Sequence, residues 1–115
     1  MILYKETRPW GTFEVLLDSK NYKVKRIIVE PGQKLSYQYH NHREEYWVCV
    51  QGFGLLTLDD NQFDFKVGQT VYIKLQQKHR IHNSRNTQLV FIETQLGEKC
   101  EEDDIVRIED DYQRY

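Results

Sequence analysis

His40, His42, His79 and His82 are the only histidines in a chain of 115 residues, and their spacing is that of metal chemistry. His40 and His42 form an HxH pair. On a β-strand, residues two apart project from the same face, so two imidazoles can converge on one point. Glu45 follows three residues later, beyond a polar break able to reset strand parity, and His79 arrives almost forty residues on. Three neutral ring nitrogens and one carboxylate suit a single first-row divalent cation with open positions for water or substrate. Zinc, manganese, iron, nickel and cobalt are all compatible with that set. The expectation is a site of His40, His42, Glu45 and His79, and it requires His42 and His79 to meet. Gln38 shares the strand parity of the two histidines and is expected to face the same cavity.

The elements that must position these groups read as short strands. Trp10 to Leu17, Tyr22 to Val29, Leu35 to His40, Glu45 to Val50, Gly54 to Leu58, Phe63 to Val67, Thr70 to Ile73 and Leu89 to Thr94 are rich in β-branched and aromatic residues. Turn residues separate them: Asp18-Ser-Lys-Asn21, Pro31-Gly32, Gly52 and the hairpin turn Asp59-Asp60-Asn61. About eight strands at regular spacing, with no long 3.6-residue periodicity, indicate a closed antiparallel barrel or jelly roll. If Glu45 points inward, Trp47 and Cys49 do too, and Tyr46, Val48 and Val50 face out. Arg43, in the polar break, reads as solvated.

Composition narrows the function classes. Sixteen basic and eighteen acidic residues give a net charge of −2, with no basic field for nucleic acid or an anionic membrane. No apolar run approaches the roughly 18–20 residues of a membrane span, and the first ten residues lack the pattern of a secretory signal. Cys49 and Cys100 are far apart, with neither CxxC spacing nor disulfide density. A reduced, cytoplasmic setting is expected, with Cys49 a small buried residue. Seven acids against Arg107 and Arg114 make residues 101–115 −5, leaving +3 for the first hundred. Within that acidic segment Ile105-Val-Arg-Ile108 reads as one more strand packed on the barrel.

Gly32, His40, His42, Glu45 and Gly52, then Gly68, His79 and Asn83, fall in the order of the two cupin motifs. The chain departs where Lys74 and Gln76 stand for the usual Pro and Gly, and in a shortened interval between His42 and Glu45. A narrower likeness rests on Arg8-Pro-Trp-Gly11, Tyr22 to Ile27, Gln38-Tyr-His-Asn-His-Arg43, Glu45-Tyr-Trp47, His79-Arg80, Asn83, and Glu102 to Arg107 with Asp110-Asp-Tyr112. These resemble the cupin domain of type II mannose-6-phosphate isomerases, which often follows a mannose-1-phosphate guanylyltransferase domain. Tyr46 stands where that family usually carries His.

The resemblance implies an all-β, cupin-type double-stranded β-helix forming one domain over residues 1–115. It implies one divalent transition metal, a small-molecule sugar phosphate as ligand, a cytoplasmic homodimer, and no nucleic-acid or membrane partner. The activity implied is interconversion of mannose 6-phosphate and fructose 6-phosphate through an enediol. Arg80, beside His79, is expected to hold the phosphate, and Gln38 to ligate the metal or bond a sugar hydroxyl. Lys23 and Lys25 share one strand face and Arg26 the other; no residue is assigned as base. Two other readings stand beside this one: a non-catalytic sugar-phosphate-binding cupin, and an epimerase or ketoisomerase acting on a nucleotide-linked sugar.

Overall fold

Alternation of apolar and polar residues along short β-branched runs requires each strand to bury one face. The computed structural model, described over residues 2–112, satisfies this with two facing antiparallel sheets and no helix among those residues. The first sheet has the order β1 (Tyr4–Arg8), β2 (Gly11–Asp18), β3 (Tyr22–Val29), β10 (Leu89–Gly97), β5 (Arg43–Gln51), β8 (Thr70–Ile73). The second has the order β11 (Val106–Glu109), β4 (Tyr37–Tyr39), β9 (His79–His82), β6 (Phe53–Leu58), β7 (Asn61–Lys66). Non-consecutive neighbours such as β3–β10–β5 make this a jelly roll rather than a meander.

Eleven strands replace the eight expected. β1 was not anticipated because Lys5, Glu6 and Arg8 give it the composition of a loop; it forms as an edge strand on β2. β9 is only four residues long, yet it joins β4 to β6. Val106–Glu109 pairs with β4, so this part of the acidic segment lies along the sheet edge. Residues 113–115, including Arg114, lie outside the described residues.

β6 and β7 are joined by Asp59 and Asp60, both at positive φ (44° and 70°). This is the two-residue turn whose twist matches that of the flanking strands. The core between the sheets centres on Trp47, Phe65 and Phe91, with ring centroids 4.5–6.0 Å apart. Along β5, Glu45, Trp47 and Cys49 are buried while Tyr46, Val48 and Val50 are exposed, the parity expected. Tyr46 stacks on Tyr72 on the outer face, with centroids 4.8 Å apart. The residue that departs from the usual family His therefore does not face the interior.

Candidate metal centre and adjoining cavity

The inner face of the first sheet changes character along its length. At one end Ile27, Phe91 and Cys49 lie in register and are apolar. The next row, Lys25, Glu93 and Trp47, is mixed, and the row after it, Lys23, Gln95 and Glu45, is wholly polar. All six residues of these two rows are buried. Across from them, β4 and β9 of the second sheet meet at the pair Gln38 and His79. The polar end of the barrel is thus built from side chains that strand parity turns inward.

Three of these groups converge. One ligand atom from each of His40, Glu45 and His79 lies within 4.8 Å of the others, and all three residues are buried. Both rings are oriented by backbone carbonyls. His40 Nδ1 donates to the Asp104 carbonyl at 2.6 Å, and His79 Nδ1 donates to the Gln77 carbonyl at 2.9 Å. That fixes the tautomer and leaves each Nε2 as a lone-pair donor. His40 Nε2 is 3.3 Å from Glu45 Oε2, and the rings of His40 and His79 lie 5.0 Å apart. His79 Nε2 is buried with no hydrogen-bond partner. A buried polar atom in that condition is costly unless something else meets it. Two imidazole lone pairs and a carboxylate, with the orphaned nitrogen aimed among them, fit a divalent transition metal.

Glu45 is fully committed on its other sides. Trp47 Nε1 donates to Oε1 at 2.9 Å, and Arg43 Nε donates to Oε2 at 2.9 Å. Burial would push this carboxyl up, but its interactions with the surrounding His40, Arg43 and His79 outweigh burial and hold it well below the usual carboxylate range, with Arg43 the permanent cation among them. Burial also pushes the His40 imidazole down to about 4 and the His79 imidazole down, so both rings are neutral, as ligation requires. Glu93 is pushed up to about 8, first by burial and then by the neighbouring Glu45 charge.

Two expected site residues are placed elsewhere. His42 does not join the cluster: its side chain is 41% exposed and its Nδ1 faces Glu98 at 3.3 Å. The reason is parity. β4 ends at Tyr39 and β5 starts at Arg43, and the odd interval from His42 to Glu45 turns His42 outward. The bend between them is held by Asp104, whose carboxylate accepts from the N–H groups of Asn41 and His42, each at 2.9 Å. Of the four expected ligands, the structure brings three together, His40, Glu45 and His79, and leaves His42 apart from them. Arg80 is likewise not at the cavity. Next to His79 on β9, it takes the opposite face; its Nε donates to the Leu35 carbonyl at 2.8 Å and its Nη2 to the Glu109 carbonyl at 3.3 Å. His82 shares that outward parity and is half-buried beside Lys34.

Gln38 does line the cavity, its Oε1 accepting from the Ser36 hydroxyl at 2.9 Å. Arg8, Lys25, Arg43, Glu93 and Glu102 line it as well; of these Glu93 was not singled out in the sequence, and Lys25 only as one of two lysines on a strand face. Arg43, expected to be solvated, is 6% exposed. Its signal was available: it shares the parity of Glu45, Trp47 and Cys49. Glu93 too is the one charged residue of its strand, at an inward position. Lys25 and Glu102 meet across 77 residues, and no local pattern announces that.

Comparison with known proteins places the family and the fold. Residues 2–110 match the family described as mannose-6-phosphate isomerase C-terminal. The alginate biosynthesis protein AlgA of Pseudomonas aeruginosa is 41% identical over 107 residues, 93% of this chain but 22% of that protein. The chain thus spans less than a quarter of that relative's length. Among solved structures, a protein with a double-stranded β-helix domain from Klebsiella pneumoniae superposes with a TM-score of 0.73 at 19% identity, over 82% of this chain and 80% of that one. A cupin domain of Cnp3 from Schizosaccharomyces pombe superposes with a TM-score of 0.72 at 14% identity, over 75% and 64% of the two chains. Those two likenesses establish the fold as cupin, and the sequence match goes further: this chain belongs to the mannose-6-phosphate isomerase C-terminal family.

Proposed function

We propose that this domain is a metal-dependent aldose–ketose isomerase that interconverts mannose 6-phosphate and fructose 6-phosphate through an enediol. The observation that carries the reading is the cluster of His40, Glu45 and His79 beside a cavity lined with cations, in a chain of this family. A divalent cation held by those three residues would supply Lewis-acid polarisation at the sugar's carbonyl oxygen. Gln38 presents an amide to a sugar hydroxyl from the floor of β4. Arg8 and Lys25 offer positive charge to the phosphate, the role expected of Arg80. The reading carries with it a homodimer; exposed Tyr46, Val48, Val50 and Tyr72 on the outer sheet face provide apolar surface for a second copy, and sedimentation reads the mass directly.

The test is turnover. Purified protein loaded in turn with zinc, manganese, iron, nickel and cobalt should convert mannose 6-phosphate to fructose 6-phosphate with at least one of them. Absence of product with every ion overturns the isomerase.

One observation favours a second reading, a non-catalytic sugar-phosphate-binding cupin. Arg43 already neutralises Glu45, and its Nη2 stands 3.4 Å from His40 Nε2, so a cationic group partners two of the three ligands without any metal. Tight binding of mannose 6-phosphate by protein that contains no metal and shows no turnover would select that reading.

A further inference from the structure

The segment after β10 is pinned at two points flanking one carboxylate. Arg43 Nη1 donates to the Glu101 carbonyl at 2.9 Å, and His40 donates to the Asp104 carbonyl at 2.6 Å. Between them Glu102 turns its side chain toward the cavity, where Lys25 Nζ lies 2.7 Å from Oε1 and 2.6 Å from Oε2. Lys23 Nζ approaches Oε2 at 3.5 Å. The two lysines come from the inner face of β3 and are deeply buried: side-chain exposure is 4% for Lys25 and 11% for Lys23. Lys25 Nζ also sits 4.2 Å from the centre of the Phe13 ring, and Arg8 flanks the same ring at 5.5 Å. The Glu102 side chain itself is 38% exposed.

This is an asymmetric arrangement. The cations are fixed in the wall of the barrel, while the anion that satisfies them hangs from a short tether at the rim. Both oxygens of that anion engage the same ammonium, as two oxygens of a phosphate would. A phosphate monoester carries roughly −1.5 to −2 charge at neutral pH against −1 for a carboxylate, and offers three acceptor oxygens instead of two. It can therefore satisfy Lys25 and Lys23 together more fully than Glu102 does. Because the backbone on either side is tied to Arg43 and His40, the part free to yield is the Glu102 side chain and not the segment.

We propose that Lys25 and Lys23 form an anion seat for the phosphate of a sugar phosphate, and that Glu102 is its tethered occupant, which swings out when the ligand enters. The proposal rests on the sugar-phosphate reading of the cavity and deepens it by naming the residues that receive the phosphate. A competing tethered group lowers the apparent affinity by the fraction of time it holds the seat.

Calorimetric titration with inorganic phosphate tests it without any turnover. Glu102→Gln keeps the shape of the side chain and removes its charge, and should bind inorganic phosphate about tenfold tighter than the native chain, the scale of one modest ion pair. Adding Lys25→Gln to that variant should abolish the gain. A folded Glu102→Gln protein that binds phosphate no tighter than the native chain overturns the seat. Should the variant fail to fold, a crystal structure of the native chain with phosphate decides: phosphate on Lys25 Nζ with Glu102 displaced supports the seat, and phosphate elsewhere with Glu102 still on Lys25 overturns it. The isomerase reading fails separately. A tenfold gain with no isomerisation leaves the seat standing, and isomerisation with no gain removes the seat alone.

Discussion

Arg43 and Glu45 stand two residues apart on the inner face of β5, and the guanidinium of one donates to the carboxylate of the other at 2.9 Å while both are buried. A buried carboxylate needs a cation close by, and in this barrel two candidates compete for that duty: the arginine already present and a metal on His40, Glu45 and His79.

Removing the arginine should therefore expose the dependence. Arg43→Met is expected to cost about 3–5 kcal/mol in metal-free protein, the usual consequence of leaving one member of a buried pair uncompensated. Saturating zinc should restore much of that loss, because a ligand that binds only the folded state adds to its stability. Denaturant unfolding with and without zinc measures both; an equal loss in the two conditions would show that the metal does not replace the arginine's charge.

The cluster of His40, Glu45 and His79 makes a sharp distinction between neighbouring histidines. His40→Ala and His79→Ala should each abolish stoichiometric metal in elemental analysis of the purified protein. His42→Ala should leave it unchanged, since that ring faces Glu98 outside the cluster. Loss of metal in the His42 variant would return the site to four ligands.

Gly97 is expected to tolerate no side chain. A Cβ there would lie 2.2 Å from the His42 carbonyl oxygen and 2.8 Å from the Arg43 Cα, both backbone atoms. Gly97→Ala must push β10 away from the start of β5, and should cost about 2–4 kcal/mol as an overpacked backbone contact does. Thermal unfolding reads the loss; a native-like midpoint would show that the strands separate freely at this point.

Tyr37 supplies a pH signature of its own. Burial, followed by its hydrogen bond to Asp60, pushes its hydroxyl up to about 12. A folded pKa above the unfolded value of about 10 means that the folded state holds the proton more tightly. This contribution is fully present below pH 10 and is lost as pH rises toward 12, amounting to about 2–3 kcal/mol. Tyr37→Phe should flatten the fall in stability between pH 10 and 12; an unchanged slope would assign the fall to other groups.

Strand identity and strand parity belong to the sequence. Alternation along Glu45 to Val50 determined which residues of β5 enter the core, and the turn at Asp59-Asp60 determined where β6 folds back, because both depend only on neighbours in the chain. The number and spacing of the strands also pointed to a barrel, but the meeting of His40, Glu45 and His79 belongs to the tertiary structure. The phase across the bend at Asn41 and His42 was not local. It is set by Asp104, more than sixty residues later, whose carboxylate and carbonyl hold the bend and the His40 ring in place. The parity of Arg43 was legible, but the partners it meets, Glu45 and the Glu101 carbonyl, and those that make Arg80 an anchor for the chain around β11, come from the closed fold. A side chain's parity can be read from its own strand, but what that side chain meets is fixed by the strand brought opposite, and only the closed barrel supplies that partner.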